Sequence, residues 1–230
     1  MLRTYHTRFK AGAVVFDLDG TLVHSSPDLA VAANRMLESM GLEQHADEVI
    51  FRWLCNGATR LVQTALTGDP NGMPNPELFE RGYDLFMRFY GEGLCVKSRP
   101  YPHVERVLDE LKSDGLRLAC LTNKPGEFTG PVLEALHLDR YFDLVVAGDS
   151  LPVKKPDPLP LRHIFRRFGM ALSTGIMVGD SISDIRAAQA AGMPVICVSF
   201  GYNQGWDLTK ANPDAIIDSF ADLPGLIEHI

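Results

Sequence analysis

The chain has 230 residues, of which 46% are hydrophobic and 22% are charged. These values are ordinary for a globular enzyme and exclude a disordered or fibrous chain, while the length allows one large domain or a core domain with an insertion. The formal net charge of −7 provides no overall positive field, so neither nucleic acid nor a membrane surface is expected as a partner.

The cysteines and the N-terminal segment indicate where the protein works. The four cysteines are scattered, without the paired spacing of a redox motif or metal site, which fits a reducing compartment. No apolar run approaches the roughly 18 residues that a membrane helix needs. Residues 1–10 lack the apolar segment of a signal peptide, so we expect them to form a polar tail and the protein to be cytoplasmic.

The first predicted strand is the apolar run 13–16, and the next comparable run begins only at residue 118. This interval of about 100 residues is several times what a single crossover helix needs, and it predicts an inserted domain. Ser26 as N-cap, Pro27 at the first helical position and Gly41 as terminator predict the first helix of the insertion. Further helices are predicted at residues 46–53, 57–66 and 76–90, so the insertion should be entirely helical.

After the insertion, helical patterns alternate with short apolar runs. Val104, Val107, Leu108 and Leu111 share one face of a predicted helix, and Gly115 stands where a C-cap is expected. This alternation predicts a parallel, doubly wound α/β sheet. The apolar runs after the insertion are 118–121, 144–146, 176–178, 195–198 and 215–217.

The strongest chemical signal is the segment Asp17-Leu18-Asp19-Gly20-Thr21, which directly follows the first predicted strand. Its two carboxylates point the same way if the strand continues, and Gly20 allows the chain to leave the sheet sharply. One carboxylate can then coordinate a cation and attack phosphorus, while the other exchanges a proton with the leaving oxygen and with water. The alternative is a surface Asp-Gly turn, but the buried strand end and the motifs downstream argue against it.

A second acidic segment, Gly179-Asp180-Ser181-Ile182-Ser183-Asp184, follows the run 176–178. Asp180 is expected at the strand end and Asp184 on the first turn of the next helix. With Asp17 they would supply the hard oxygen ligands that suit Mg²⁺. Taken alone, Asp180 could equally be a helix N-cap and Asp184 a partner of the helix dipole.

Two further segments offer groups that bind phosphate. Thr122-Asn123 follows the run 118–121 and provides a hydroxyl and backbone N–H groups, and Lys155 in the segment Lys-Lys-Pro-Asp-Pro provides a positive charge. Each is more often an ordinary loop element when it occurs alone. Because ligands of open parallel sheets bind at the carboxyl ends of the strands, we expect these groups to share one site with Asp17 and Asp180.

The ordered set DLDGT, LTN, KKPDP and GDSISD resembles the four motifs of the haloacid dehalogenase superfamily, from about Val14 to the C-terminus. The resemblance implies a Rossmann-like core formed by residues 1–24 and 96–230, with a helical cap inserted at residues 25–95.

The same resemblance implies a role for each motif residue. Asp17 would be the nucleophile that accepts the phosphoryl group, and Asp19 the general acid and base, whose backbone carbonyl also meets Mg²⁺. Asp180 would bind the metal with support from Asp184. The phosphate would be held by Thr122 and Lys155, which would share in catalysis.

Several other stretches resemble those of bacterial phosphoglycolate phosphatases within this superfamily. The resemblance implies hydrolysis of a small phosphorylated metabolite, 2-phosphoglycolate, to glycolate by a monomer or homodimer. Asn123, Lys124 and Asn56 are candidate substrate contacts. The alternatives are a phosphatase for another small phosphomonoester such as a sugar phosphate, a phosphomutase like β-phosphoglucomutase, and a scaffold without activity. The stretches are 53–57, 122–125, 147–152 and 200–203.

Overall fold

The structure is a computed structural model that describes residues 8–54, 57–203 and 207–230. The chain divides into two compact units. The first, which we call the core unit, comprises the chain up to Val23 and from Pro100 onward, and the second, the helical unit, comprises His24–Arg99. The sequence predicts a slightly shorter insertion, at residues 25–95.

In the core unit, strands and helices alternate as the sequence predicts, whereas the helical unit contains consecutive helices. The strands are β1 (Phe9–Ala11), β2 (Ala13–Phe16), β3 (Val23–His24), β4 (Arg99–Pro100), β5 (Arg117–Leu121), β6 (Leu144–Val146), β7 (Gly175–Gly179), β8 (Val195–Val198), β9 (Ala215–Ile217) and β10 (Ile227–His229). The α-helices are α1 (Ser26–Ser39), α2 (Asp47–Phe51), α3 (Gly57–Thr67), α4 (Pro76–Glu92), α5 (Val104–Ser113), α6 (Gly126–Ala135), α7 (Leu159–Phe168) and α8 (Ile182–Ala191).

The core unit is built on a six-stranded sheet with the order β6-β5-β2-β7-β8-β9, in which every neighbouring pair is parallel. All six predicted apolar runs are strands of this sheet, so the doubly wound α/β fold is confirmed. β2, β7 and β8 are buried along their whole length, as expected for parallel strands covered by helices on both faces. The order places β2 between β5 and β7, so the carboxyl ends of these three strands are adjacent.

One face of the sheet is closed by α7 and α8. Strand residues such as Val15, Met177 and Val195 are fully or almost fully buried in one apolar cluster with Phe165 of α7 and Ile185 of α8. Removing this apolar surface from water is the main contribution that holds the helices on the sheet.

The sequence predicts a polar tail over residues 1–10, and this prediction is wrong for residues 9 and 10. Phe9–Ala11 forms β1, which pairs in parallel with β10, and Ala11 is fully buried. Three residues are too few to produce a readable strand pattern, and the pairing partner lies at the other end of the chain. The first seven residues of the predicted tail lie outside the described residues.

In the helical unit, α1 contacts α2, α3 and α4, and the helices cover the predicted segments with shifts of a few residues. The predicted start of α1 is wrong by one position, because Ser25 is the N-cap residue and Ser26 is already helical. The buried carboxylate of Asp28 accepts hydrogen bonds from the backbone N–H of Lys97 at 2.8 Å and of Ser98 at 2.8 Å. The first turn of α1 thereby holds the segment that precedes β4.

None of the helices in the described part of the chain combines the length and the hydropathy that a membrane crossing requires.

Candidate active site

The site lies at the carboxyl edge of the central sheet. Asp17 directly follows β2, Thr122 directly follows β5 and Asp180 directly follows β7. Since these strands are neighbours and parallel, their ends bring together three residues that are far apart in the sequence. All three residues are buried.

Three buried carboxylates form what we call the aspartate cluster: Asp17, Asp180 and Asp184. Each offers one carboxylate oxygen, and these oxygens all lie within 4.8 Å of one another. Burial, with a contribution from Asp184, raises the pKa of Asp17 to about 7, although Lys155 acts in the opposite direction. Burial and repulsion by Asp17 and Asp184 likewise raise the pKa of Asp180 well above its ordinary value. The cluster therefore concentrates more negative charge than a buried site holds easily.

Lys155 is the cation that the structure places against this cluster. Its ammonium nitrogen lies 2.8 Å from Asp17 Oδ1 and 2.7 Å from Asp184 Oδ1, and it donates a hydrogen bond of 2.8 Å to the carbonyl of Leu121. Burial acts to lower the pKa of Lys155, but the charges of Asp17 and Asp184 outweigh it and raise the pKa. Asn123 Nδ2 donates a hydrogen bond of 2.9 Å to the Lys155 carbonyl, which links the lysine loop to the end of β5.

The capping interpretation of the second acidic motif is partly correct and involves different residues. Ser181, not Asp180, is the N-cap of α8, and its backbone N–H donates to Asp184 Oδ2 at 3.0 Å in a capping box. Asp184 therefore uses one oxygen for the helix end and the other for Lys155. A Cβ at Gly179 would run into the Asp184 side chain, so only glycine leaves room for this arrangement.

Asp180 is held by Thr21 and Tyr202, to which the sequence assigned no role. Thr21 Oγ1 donates a hydrogen bond of 3.1 Å to Asp180 Oδ1, and the backbone N–H of Tyr202 donates to Asp180 Oδ2. Gly20 has φ +90 and lies so close to the Asp180 carboxylate that any side chain there would collide with it. Thr21 and Tyr202 both lie in segments that the sequence singles out, but only the fold shows that they meet Asp180.

Asp19 is not a member of the aspartate cluster among the described residues. Its carboxylate oxygens lie 3.0 and 3.2 Å from the ammonium nitrogen of Lys124, a residue expected from the sequence to contact the substrate. The Asp19 side chain keeps 21% of its surface exposed, whereas that of Lys124 keeps 5%. Asn56, the other predicted contact of this kind, lies outside the described residues.

The remaining predicted phosphate-binding groups lie beside the cluster. Thr122 is buried, and its hydroxyl accepts a hydrogen bond of 3.2 Å from the backbone N–H of Lys124. Asn123 Oδ1 is buried and makes no hydrogen bond within the described chain, although its amide group donates to Lys155. These groups form the wall of the site on the side of β5.

The donor set fits a hard divalent cation. Among the described residues, the three carboxylates of the cluster face one buried ammonium, so full ionisation would leave a net negative charge in a buried place. Carboxylate oxygens without nitrogen or sulfur ligands are the set that Mg²⁺ prefers, usually completed by water and substrate phosphate. A bound divalent cation would offset the repulsion that raises the pKa values of Asp17 and Asp180.

The chain is similar to known proteins over most of its length. Residues 14–198 match the family model described as haloacid dehalogenase-like hydrolase. A phosphoglycolate phosphatase of Nitrosospira multiformis is 46% identical over 216 residues, which cover 94% of this chain and 95% of that protein. One of Thiobacillus denitrificans is 44% identical over 210 residues, which cover 91% and 92%.

A solved structure has the same fold. The crystal structure of a predicted phosphoglycolate phosphatase from Haemophilus somnus superposes with a TM-score of 0.87 and 38% sequence identity. The match covers 96% of this chain and 99% of that chain, so it includes both compact units.

Proposed function

The chain belongs to the haloacid dehalogenase-like hydrolase family, and we propose that it is a Mg²⁺-dependent phosphomonoester hydrolase whose nucleophile is Asp17. The observation that carries this proposal is the position of the Asp17 carboxylate. It is buried at the end of β2, lies 2.8 Å from the ammonium of Lys155 and belongs to the aspartate cluster. A carboxylate held in this way is suited to covalent catalysis on a phosphate that enters the same site.

In the first half of the proposed reaction, an oxygen of Asp17 attacks the phosphorus of the substrate. The bond between phosphorus and the leaving oxygen breaks, the phosphoryl group is transferred to Asp17, and Asp19 donates a proton to the leaving oxygen. Lys155 balances the charge of the phosphoryl oxygens, and the Thr122 hydroxyl donates to one of them.

In the second half, water attacks the phosphorus of the phosphoaspartate. Asp19 accepts a proton from this water, and the bond between phosphorus and Asp17 breaks, which releases inorganic phosphate, restores the Asp17 carboxylate and leaves Asp19 protonated for the next turnover. Asp19 suits this exchange because its side chain remains partly exposed and stands outside the aspartate cluster.

Mg²⁺ would be held by Asp17, Asp180 and the backbone carbonyl of Asp19, with Asp184 in a supporting position. When bound, it supplies positive charge that lets the carboxylate approach a dianionic phosphate. Asp180 is held for this purpose by Thr21 and by the backbone of Tyr202, and Asp184 by α8.

The proposed substrate is 2-phosphoglycolate, which would be hydrolysed to glycolate in the cytoplasm by a monomer or homodimer. Support comes from the relatives named phosphoglycolate phosphatase, which match this chain over more than nine-tenths of its length. We propose that Asn123 and Lys124 contact the substrate, as the sequence predicts, whereas Asn56, the third predicted contact, lies outside the described residues.

A panel of small phosphomonoesters tests the proposed function. Purified chain is assayed with Mg²⁺ and with EDTA on 2-phosphoglycolate, glycerol phosphate and several sugar phosphates, and both free phosphate and isomerised phosphosugar are measured. We expect Mg²⁺-dependent phosphate release, fastest with 2-phosphoglycolate. Isomerised sugar without free phosphate would establish a mutase instead, and the absence of any turnover would leave a non-catalytic scaffold.

A further inference from the structure

The core unit contains a cavity of about 280 Å³ whose lining residues do not belong to the aspartate cluster. Its walls are formed by Leu151, Leu159, Arg162, His163 and Arg166. The first of these comes from the loop after β6, and the other four belong to α7. None of the five takes part in the proposed reaction, so the hydrolase activity does not account for this cavity.

The charge beside the cavity is opposite in sign to that of the whole chain. α7 carries three arginines and no carboxylate, although the formal net charge of the chain is −7. Within the described ranges, neither Arg162 nor Arg166 forms an ion pair with a carboxylate. The Asp157 carboxylate, just before α7, accepts a hydrogen bond of 2.8 Å from the backbone N–H of Leu159. A local excess of positive charge attracts anions even on an acidic protein.

The two arginines of the wall are oriented by weak contacts that use few of their donors. Arg162 Nη2 donates a hydrogen bond of 3.4 Å to the carbonyl of Ala190, at the end of α8, and Arg166 Nη2 lies 3.4 Å from His163 Nδ1. A guanidinium has five N–H donors and no acceptor, so His163 Nδ1 accepts in this contact and the proton of the neutral ring lies on Nε2. Residues four apart on a helix share one side of it, so the arginines are neighbours.

The rest of the wall is apolar and is fixed by the core beneath it. Leu159 keeps 44% of its surface exposed, and Leu151 is half-buried against the apolar cluster of the core unit. Ile164 and Phe165, on the inner side of α7, are buried in the same cluster. The helix that carries the arginines is therefore held in place, so the cavity exists before a ligand arrives. An apolar ligand would remove more of the leucine surface from water, which favours binding.

We propose that this cavity binds a small dicarboxylate with an apolar body, at a site separate from the aspartate cluster. Two carboxylates match two guanidiniums that stand one helical turn apart, and each guanidinium can hold a carboxylate through two parallel hydrogen bonds. The apolar body would lie against Leu151 and Leu159. The volume of about 280 Å³ is near the lower end of the range for small-molecule sites, which limits the ligand to a compact one.

A titration followed by NMR tests this site with three probes. Phenylsuccinate carries two carboxylates and a phenyl ring, succinate lacks the ring, and 2-phenylethanol lacks the charges. Backbone amide signals of the ¹⁵N-labelled chain are recorded without Mg²⁺ at low ionic strength, where charge attraction is least screened. For phenylsuccinate we expect a Kd on the order of 1 mM. The largest shifts should fall on residues 159–166, and succinate and 2-phenylethanol should each bind at least about tenfold more weakly.

Variants of the wall supply the matched controls. Arg162→Gln/Arg166→Gln removes two exposed cations and should raise the Kd of phenylsuccinate about tenfold without unfolding the chain. Arg167→Gln removes an exposed cation of the same helix that does not line the cavity, and it should change the Kd by less than about twofold. Leu159→Ala, which shortens the apolar wall, should raise the Kd about threefold.

Four results would overturn the proposal. Shifts centred on residues 122–124 would place the probe in the candidate active site. Equal affinity for the three probes would show that charge and apolar surface do not act together. Equal effects of Arg167→Gln and of the double variant would show a general attraction to α7. No shifts at about twenty times the expected Kd would leave only a solvated basic face. The titration requires no turnover, so failure of the proposed function would not alter its outcome.

Discussion

The ammonium of Lys155 lies 2.8 Å from a carboxylate oxygen of Asp17, although the two residues enter the site from separate loops of the core unit. The same ammonium lies 2.7 Å from Asp184, so a single buried cation is shared by two members of the aspartate cluster. Sharing leaves the cluster short of positive charge. This shortage should lower the stability of the folded chain, and under the proposed function it would favour a bound cation.

Asp17→Asn should abolish turnover without unfolding the chain. The amide has nearly the shape of the carboxylate and removes one charge from a crowded cluster, but it cannot form the phosphoaspartate. We expect a loss of at least about a thousandfold in kcat and a melting temperature no lower than that of the wild type. Phosphate release assays and thermal melts in EDTA check both statements. Turnover at the wild-type rate would exclude Asp17 as the nucleophile.

Asp19→Asn should separate catalysis from metal binding. Its side chain belongs to the pair with Lys124 and not to the aspartate cluster, so the Mg²⁺-dependent rise in melting temperature should remain. Turnover of an alkyl phosphate should fall by roughly 10²- to 10⁴-fold, the usual contribution of a general acid and base. If the variant loses the Mg²⁺ response together with its activity, the side chain of Asp19 serves the metal instead.

Lys155→Met should destabilise the fold as well as abolish activity. Removing one partner of a buried ion pair leaves uncompensated charge, which typically costs about 3 to 5 kcal/mol in the free energy of unfolding. Lys154→Met is the control, because Lys154 is exposed and should change the free energy of unfolding by less than about 0.5 kcal/mol. Urea denaturation at pH 7 measures both. Equal stability of the two variants would contradict the electrostatic role given to Lys155.

Mg²⁺ should raise the melting temperature of the wild type, and EDTA should reverse the effect. A ligand that binds only the folded state stabilises it by mass action, by about 2.7 kcal/mol at a concentration of one hundred times Kd. Asp180→Asn should lose most of this response, since Asp180 contributes a carboxylate to the cluster. Asp143→Asn, which removes a surface carboxylate, should keep it. If Mg²⁺ did not change the melting temperature of the wild type, the result would argue against a metal site at the aspartate cluster.

Without metal, the free energy of unfolding should vary with pH because the pKa values of the aspartate cluster are raised. Burial raises the pKa of Asp17 from the ordinary value of 3.8, which we take for the unfolded chain, to about 7, and it also raises the pKa of Asp180. The folded chain thus holds protons that the unfolded chain releases, so the contribution of these groups to stability falls as pH rises from about 4 to 7.

Urea denaturation in EDTA at several pH values between 4 and 7.5 measures this effect. Because Asp180→Asn removes one of the titrating groups, its stability relative to the wild type should increase with pH across that range. Added Mg²⁺ should oppose the decline in the wild type, since it binds the deprotonated carboxylates. A difference between variant and wild type that does not vary with pH would contradict the raised pKa values.

The sequence predicts the sheet well because strands that are buried on both faces are continuous apolar runs. The run 13–16 is apolar throughout and forms β2 with those bounds, and the run 195–198 does the same as β8. β1 is missed, because three residues carry no periodic pattern and the strand is stabilised by pairing with β10 at the other end of the chain. The start of α1 is misplaced because Ser25 and Ser26 are chemically alike, and only backbone geometry separates them.

The chain's own sequence determined which chemistry is present and at which edge of the sheet it gathers. Asp17, Thr122 and Asp180 each follow an apolar run, and parallel strands must bring such positions to one side. Tertiary structure alone decided how the charges are shared. Lys155 pairs with Asp17 and Asp184, and Lys124 pairs with Asp19. Thr21 and Tyr202 donate hydrogen bonds to Asp180. These contacts depend on distances of about 3 Å between loops. Electrostatic and hydrogen-bonding energies depend on such distances, and the spacing of residues in the sequence does not determine the distances.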